Sequence, residues 1–307
     1  MRLAIIGYGS HVKKNILPVL EKINIKPKII VVNTIPQDEN YNFTNEIDVV
    51  LNDKNIDTIY IATPIVTHYE LSKKSLIANK NVICEKPICI CPDELSDLVN
   101  TAKNNKVFIK QVEMYKYHKA YSYIKNLIES KEYGELISFD FSFKVPHLAD
   151  NNIRYRKNLV GGALTDIGFY PISAICNLFP GVMLKSFVKT TQPNYDVDLD
   201  GLALFEYKKI FGTARWGLGV SYSNYLELEF SNGRIRVDRF FSKPCDYNVE
   251  LEFTHLNGKS ESREIGPDDQ FKNMFVSYLS GVEITHLDLS TFDTIKVINT
   301  IYSAPSI

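Results

Sequence analysis

The sequence predicts two folded parts of different class. A doubly wound α/β domain covers residues 1–117, and an α+β domain on a large, mostly antiparallel, open-faced sheet covers residues 118–307. Three observations carry this reading. Up to about residue 110, short apolar runs alternate with segments of helical period. From residue 136 the apolar period falls to two, the mark of strands with one buried face. The length of 307 residues suits two domains of about 100–200 residues each.

Residues 2–6, 28–32, 58–62, 81–84 and 107–109 are near-continuous apolar runs, as buried parallel strands require. Residues 11–23, 67–78 and 92–104 between them have helical spacing. Pro18 should kink the first of these, but Ile16, Val19, Leu20 and Ile23 keep one apolar face. One more helix is expected over 121–130. Over 136–145, Ile137, Phe139, Phe141, Phe143 and Val145 face one way, and Ser138, Asp140, Ser142 and Lys144 the other. Strands are expected at 184–190, 202–207, 212–216, 225–230, 234–237 and 249–254, with Asn232-Gly233 as a two-residue hairpin turn. Phe271, Met274, Phe275, Tyr278 and Leu279 mark a late helix, and 290–303 a final one.

Composition excludes several classes. Lys plus Arg is 35 against 36 for Asp plus Glu, so no basic surface selects nucleic acid, and no polybasic segment suits an anionic membrane. Residues 167–184 carry no charge, but Gly168, Pro171, Asn177, Pro180 and Gly181 would expose backbone in lipid. The segment reads as a buried helix ending at Pro180-Gly181. No apolar signal region follows Met1-Arg2, and the five cysteines lack paired CxxC spacing, so the expected compartment is cytoplasmic, with reduced thiols. Cys89-x-Cys91 has no second Cys/His pair, so no metal site is expected.

Ile6-Gly7-Tyr8-Gly9-Ser10-His11-Val12 joins the first strand to the first helix. Gly7 permits the tight turn. Gly9 lets a pyrophosphate approach the backbone where Ser10 and His11 open the helix. A full fingerprint would have Gly or Ala in place of Val12. The ribose-reading position after the second strand is Asn33, followed by Thr34. An NAD site usually carries a carboxylate there, so the cofactor is NADP or NAD, with a slight lean to NADP.

Further motifs are Ala62-Thr63-Pro64 with His68, then Glu85-Lys86-Pro87, and Gly161-Gly162-Ala163-Leu164-Thr165-Asp166-Ile167-Gly168-Phe169-Tyr170-Pro171. Met114-Tyr115-Lys116-Tyr117-His118 and Asp269-Gln270-Phe271 accompany them. Together with the Gly7 loop, these segments resemble the superfamily of glucose–fructose oxidoreductase, inositol dehydrogenase and MocA. Departures are Val12, Asn33 and Lys116. The resemblance implies an N-terminal Rossmann dinucleotide-binding domain and NAD(P)-dependent hydride transfer between nicotinamide and a carbonyl or hydroxyl carbon. Ala62, Thr63, Pro64, His68 and Glu85 would line the cofactor, and Lys86 would lie beside the nicotinamide after a cis peptide to Pro87. Asp166 and Tyr170 would reach the substrate.

The residue types suit that chemistry. Tyr170 can protonate a forming alkoxide if a nearby cation acidifies its phenol, and Lys86 is the candidate, which can also polarise the carbonyl. His118 is the alternative donor. Arg154 and Arg156 could clamp a substrate diphosphate or simply face solvent. Asp166 could instead serve backbone N–H groups at a helix start, His68 could cap the helix at Thr67, and Trp216 is expected in the core. Tyr rather than His at position 170, within Gly168-Phe169-Tyr170-Pro171, resembles ketosugar reductases and dihydrodiol dehydrogenase. The expected substrate is therefore a sugar or nucleotide-linked ketosugar. Alternatives are a dihydrodiol-dehydrogenase-like or biliverdin-reductase-like enzyme, or a non-catalytic dinucleotide sensor. An open-faced sheet needs cover, which predicts a homodimer or homotetramer.

Overall fold

The computed structural model describes residues 1–279 and 287–306. They form two compact units, Met1–Glu113 with Phe271–Phe292, and Met114–Gln270 with Asp293–Ile307. The first unit begins with β1 (Leu3–Ile6), a π-helical turn (Val12–Ile16) and α1 (Leu17–Lys22). Then come β2 (Ile29–Val31), β3 (Phe43–Thr44), α2 (Ile47–Asn52), β4 (Thr58–Ile61), α3 (His68–Ile77), β5 (Asn81–Cys84), α4 (Pro92–Asn104) and β6 (Ile109–Gln111). The strands form one parallel sheet in the order β3-β2-β1-β4-β5-β6. Leu3, Ala4, Ile5 and Ile6 are all buried, because helices cover both faces of such a sheet. The order reverses between β1 and β4, and the crevice beyond that reversal is where doubly wound sheets bind ligands.

Three expectations change here. The first helix is a wide π turn running into α1, with Pro18 in the first turn of α1. Proline lacks the N–H and crowds the carbonyl one turn back; a π turn before it makes that room, so no simple kink is needed. The strand expected at 107–109 lies two residues later, because the Val82 N–H donates to the Phe108 carbonyl, which begins the pairing, and the pairing runs on to Gln111. The elements β3 and α2 are too short to show a period.

The second unit contains α5 (Lys119–Ser130), β7 (Leu136–Val145), α6 (Phe169–Leu178), β8 (Met183–Thr190), β9 (Asp200–Tyr207), β10 (Ile210–Leu218), β11 (Ser223–Phe230), β12 (Gly233–Asp238), β13 (Val249–His255) and β14 (Ser260–Gly266). Helices α7 (Gln270–Leu279) and α8 (Leu289–Ser303) complete the described chain. The eight strands run β14-β13-β12-β11-β7-β10-β9-β8 and are antiparallel except for the β7–β10 pair. As the alternation predicts, Phe139, Phe141 and Phe143 are buried, while Ile137 near the strand start stays half exposed. Helix α6 packs on β7 and β10. Trp216 is fully buried, and Gly201 is required beneath it, since a Cβ there would stand 2.2 Å from the indole ring.

The hairpin between β11 and β12 turns at Ser231 and Asn232, not at Asn232-Gly233, because Phe230 already pairs with Gly233. Gly233 is needed for a neighbouring strand: a Cβ would stand 2.4 Å from the Thr254 carbonyl oxygen. The apolar run near residue 167 is not one helix. A π turn (Leu164–Gly168) precedes α6, which ends at Leu178 before Pro180-Gly181. The helical stretch Lys157–Leu178 is long and apolar enough to cross a membrane, and 72% of its apolar window is buried inside the protein.

Candidate active site

In the first unit the glycine loop leaves β1 at a position that forbids a side chain. Gly7 has φ +105°, and a Cβ would meet the Ala62 carbonyl oxygen at 2.3 Å. Its N–H bonds the Val31 carbonyl at 2.9 Å, so the loop is clamped between β2 and β4. Gly9 differs: nothing lies within 4 Å of where its Cβ would be, and Gly9 and Ser10 are exposed at the helix start. Such an open backbone cradle fits a pyrophosphate. Val12, where a full fingerprint has Gly or Ala, is buried and begins the π turn. Asn33 and Thr34 are exposed just beyond β2.

Glu85 is tied back to this loop. Its carboxylate accepts from His11 Nε2 at 2.8 Å and from the Tyr60 hydroxyl. Burial pushes its pKa up, but the His11 charge and these bonds outweigh it and hold the carboxyl below the usual range. His68 does not cap α3. It is buried, and its ring nitrogens lie 2.8 Å from the Pro87 carbonyl and 2.9 Å from the Thr63 carbonyl. It therefore joins the Ala62-Thr63-Pro64 loop to the segment carrying Lys86, which is itself 8% exposed. The Lys86-Pro87 peptide is cis, as expected.

Sequence reading did not single out the aromatic cluster beside the loop. Tyr8 packs on Tyr41 and Phe43, donates to Asp38, and lies 4.4 Å beneath Lys13 Nζ.

In the second unit Asp166 sits in the π turn and Tyr170 in the first turn of α6. Arg154 Nε donates to Asp166, whose charge raises the guanidinium pKa; Tyr170 is also within electrostatic reach of Arg154. The Tyr170 ring packs against Tyr115, Phe143 and Phe241, with its hydroxyl 3.9 Å from Met114 Sδ. Arg156 is exposed and stands outside this group. His118, the alternative donor, is 1% exposed and accepts the Ala120 N–H at 3.0 Å as the cap of α5, so its Nδ1 lone pair is committed.

The glycine pair is explained by crowding. A Cβ on Gly161 would stand 2.6 Å from the Arg154 carbonyl, and one on Gly162 2.4 Å from Asp198 Oδ1. Asp198 is the residue that sequence reasoning missed. Buried at 7% exposure, it accepts from Leu164 N at 2.8 Å and Trp216 Nε1 at 3.0 Å, and its own carbonyl accepts from Ala163 N at 2.8 Å. It thus pins the turn that presents Asp166 and Tyr170. Burial pushes its pKa up to about 6. A folded-state pKa above the unfolded value of about 3.9 means that this group's contribution falls as pH rises from about 4 to 6. Asp198→Asn keeps an acceptor oxygen and removes that titration. It is expected to lower stability at pH 4.5 relative to pH 7.5 by about 1–3 kcal/mol in urea denaturation. An unchanged difference would exclude Asp198 as its source.

A glycine cradle at the β1–β4 reversal and a Lys–Pro turn beyond β5 define, with the Gly161–Tyr170 segment, a dinucleotide-dependent oxidoreductase. Comparison with known proteins agrees. Residues 1–112 match the oxidoreductase family with an NAD-binding Rossmann fold, and residues 121–236 match the GFO/IDH/MocA C-terminal domain. The chain belongs to the Gfo/Idh/MocA oxidoreductase family. It is similar to a dTDP-3,4-didehydro-2,6-dideoxy-alpha-D-glucose 3-reductase of Saccharopolyspora spinosa, 28% identical over 91% of this chain and 86% of that one. A D-xylose 1-dehydrogenase (NADP(+)) of Haloferax volcanii is 26% identical over 77% of this chain and 73% of its own. The fold matches a 3-ketoreductase from Actinomadura kijaniata, solved with NADP and TDP-benzene, with a TM-score of 0.90 at 24% identity over 98% of this chain and 95% of that one.

Proposed function

We propose that this protein reduces the keto group of a nucleotide-linked sugar with NADPH. The observation that carries the reading is the similarity to a dTDP-ketosugar 3-reductase along 91% of the chain. The grouping of Arg154, Asp166 and Tyr170, with tyrosine in the proton-donor position, supports it.

Residues of the glycine loop bind the pyrophosphate, and Glu85, through His11 and Tyr60, keeps the Lys86 segment fixed to that loop. The reduced nicotinamide, when bound, supplies the hydride. Lys86 polarises the substrate carbonyl, Tyr170 donates the proton to the forming alkoxide, and Arg154, held in place by Asp166, favours the phenolate that remains. Arg156, exposed beside Arg154, pairs with the substrate diphosphate. Incubating the protein with NADPH and a dTDP-linked 3-ketosugar should consume cofactor at least tenfold faster, as kcat/KM, than with D-xylose and NADP. The reverse order overturns the substrate assignment.

Asn33 lacks the carboxylate that would repel a 2′-phosphate, so NADPH is expected to bind at least as tightly as NADH. A titration showing NADH tighter by tenfold, about 1.4 kcal/mol, would reverse this preference. Balanced charge suits a small-molecule partner, and five free cysteines, three of them buried, suit the reducing cytoplasm. The outer sheet face carries half-exposed Phe211 beside the Asp140, Thr213, Arg215 and Tyr225 network, and a second copy of the chain covers it in a homodimer or homotetramer. Sedimentation of a monomer at micromolar concentration would refute that assembly.

A further inference from the structure

The second unit holds a buried polar cluster that hydride transfer does not use. His118, Gln270 and Lys243 are 1%, 3% and 9% exposed. Lys243 Nζ donates to the Phe240 carbonyl at 2.7 Å and to Gln270 Oε1 at 3.2 Å. The second bond fixes the Gln270 amide, since the opposite orientation would set NH2 against an ammonium. The His118 tautomer is fixed as well. Its Nδ1 accepts the Ala120 N–H, so Nε2 carries the proton. Among the described residues, neither His118 Nε2 nor Gln270 Nε2 has a hydrogen-bond partner. A buried donor left unmet is costly, and here two accompany one buried ammonium.

Lys243 and Gln270 are joined by their hydrogen bond, and the Lys243 charge reaches His118. After burial, the Lys243 charge is the largest influence lowering the His118 pKa, to about 4. Burial pushes Lys243 itself down to about 7, against the opposing pull of Asp268. Asp268 Oδ2 accepts the Lys119 N–H at 2.9 Å, and Lys243 makes no ion pair among the described residues. The cluster therefore offers N–H donors: the third N–H of Lys243, His118 Nε2–H and the Gln270 NH2. A water molecule would accept from two of them but would need acceptors for its own protons. An ion that only accepts has no such need.

We propose that Lys243, His118 and Gln270 bind a monoatomic anion, chloride under cellular conditions. The ion ties together the cap of α5, the turn after β12 and the start of α7. Lys243 bonds the Phe240 carbonyl, the Phe240 ring packs on Tyr115, and Tyr115 packs on Tyr170.

The test is the thermal midpoint of the full chain in sodium chloride, bromide and gluconate at equal ionic strength. Chloride and bromide should raise the midpoint over gluconate by at least about 2 °C, increasing with concentration as mass action requires. Lys243→Met removes the cation. Gln270→Glu places a carboxylate 3.2 Å from Lys243 in the anion's stead. Both should lose the halide response. Crystals soaked in bromide should show an anomalous peak within hydrogen-bond reach of Lys243 Nζ. Equal midpoints in halide and gluconate, or a halide response kept by Gln270→Glu, overturn the proposal. So does a bromide soak without that peak, a result that holds even if Lys243→Met does not fold.

Discussion

Replacing Tyr170 by phenylalanine is expected to lower turnover by about 10²–10⁴-fold while cofactor affinity stays nearly unchanged. The substitution keeps the ring contacts with Tyr115, Phe143 and Phe241 and removes only the hydroxyl. Lys86→Ala should lose at least as much, because it removes the group that polarises the carbonyl. If both act on one carbonyl, the two losses will not add in the double variant. The second unit provides its own cation, since Arg154, paired with Asp166, is within electrostatic reach of Tyr170. Arg154→Met should therefore raise the pH at which turnover is half-maximal, an effect that a purely structural arginine would not produce. Should Tyr170→Phe retain more than half of wild-type turnover, its hydroxyl is not the donor. His118 could not replace it, being buried, with burial and then the Lys243 charge lowering its pKa to about 4, so that it holds no acidic proton near neutral pH.

The residues that could be read in advance were those whose local pattern is forced by their own surroundings. Phe139, Phe141 and Phe143 alternate because one face of β7 is buried, so period two was visible. The strands of the parallel sheet show as apolar runs because helices cover both faces. Strand β14 gave no such sign: Glu261, Arg263 and Glu264 lie at an exposed sheet edge, where charge deters further pairing. Lys86, Asp166 and Tyr170 were named from motifs. Asp198 was not, because its importance comes from contacts with residues 18 and 34 positions away in the chain. The same applies to the bond between His11 and Glu85, which spans 74 positions. The Gly161-Gly162 pair was legible as a motif. Its cause, the crowding carbonyls of Ile153, Arg154 and Arg156 and the Asp198 carboxylate, was not.

The two loop glycines are expected to fail in opposite ways. Gly7→Ala would force φ +105° on a residue with a Cβ and drive that carbon to 2.3 Å from the Ala62 carbonyl oxygen. Ala62 cannot yield cheaply, because its N–H bonds the Ile6 carbonyl at 2.8 Å within the β1–β4 ladder. The cost should be roughly 3 kcal/mol or more, seen as a lower urea midpoint even without cofactor. Gly9→Ala meets nothing within 4 Å, so the protein alone should lose almost no stability, with a change within about 0.5 kcal/mol. What its methyl would fill is the space a pyrophosphate needs against the backbone, and cofactor affinity should fall by about tenfold or more. Denaturation and cofactor titration of the two variants separate the roles. A Gly9→Ala protein that binds NADPH as the wild type does would show that this backbone does not cradle the phosphates. An unchanged midpoint for Gly7→Ala would show that the Ala62 carbonyl is not what demands glycine at that turn.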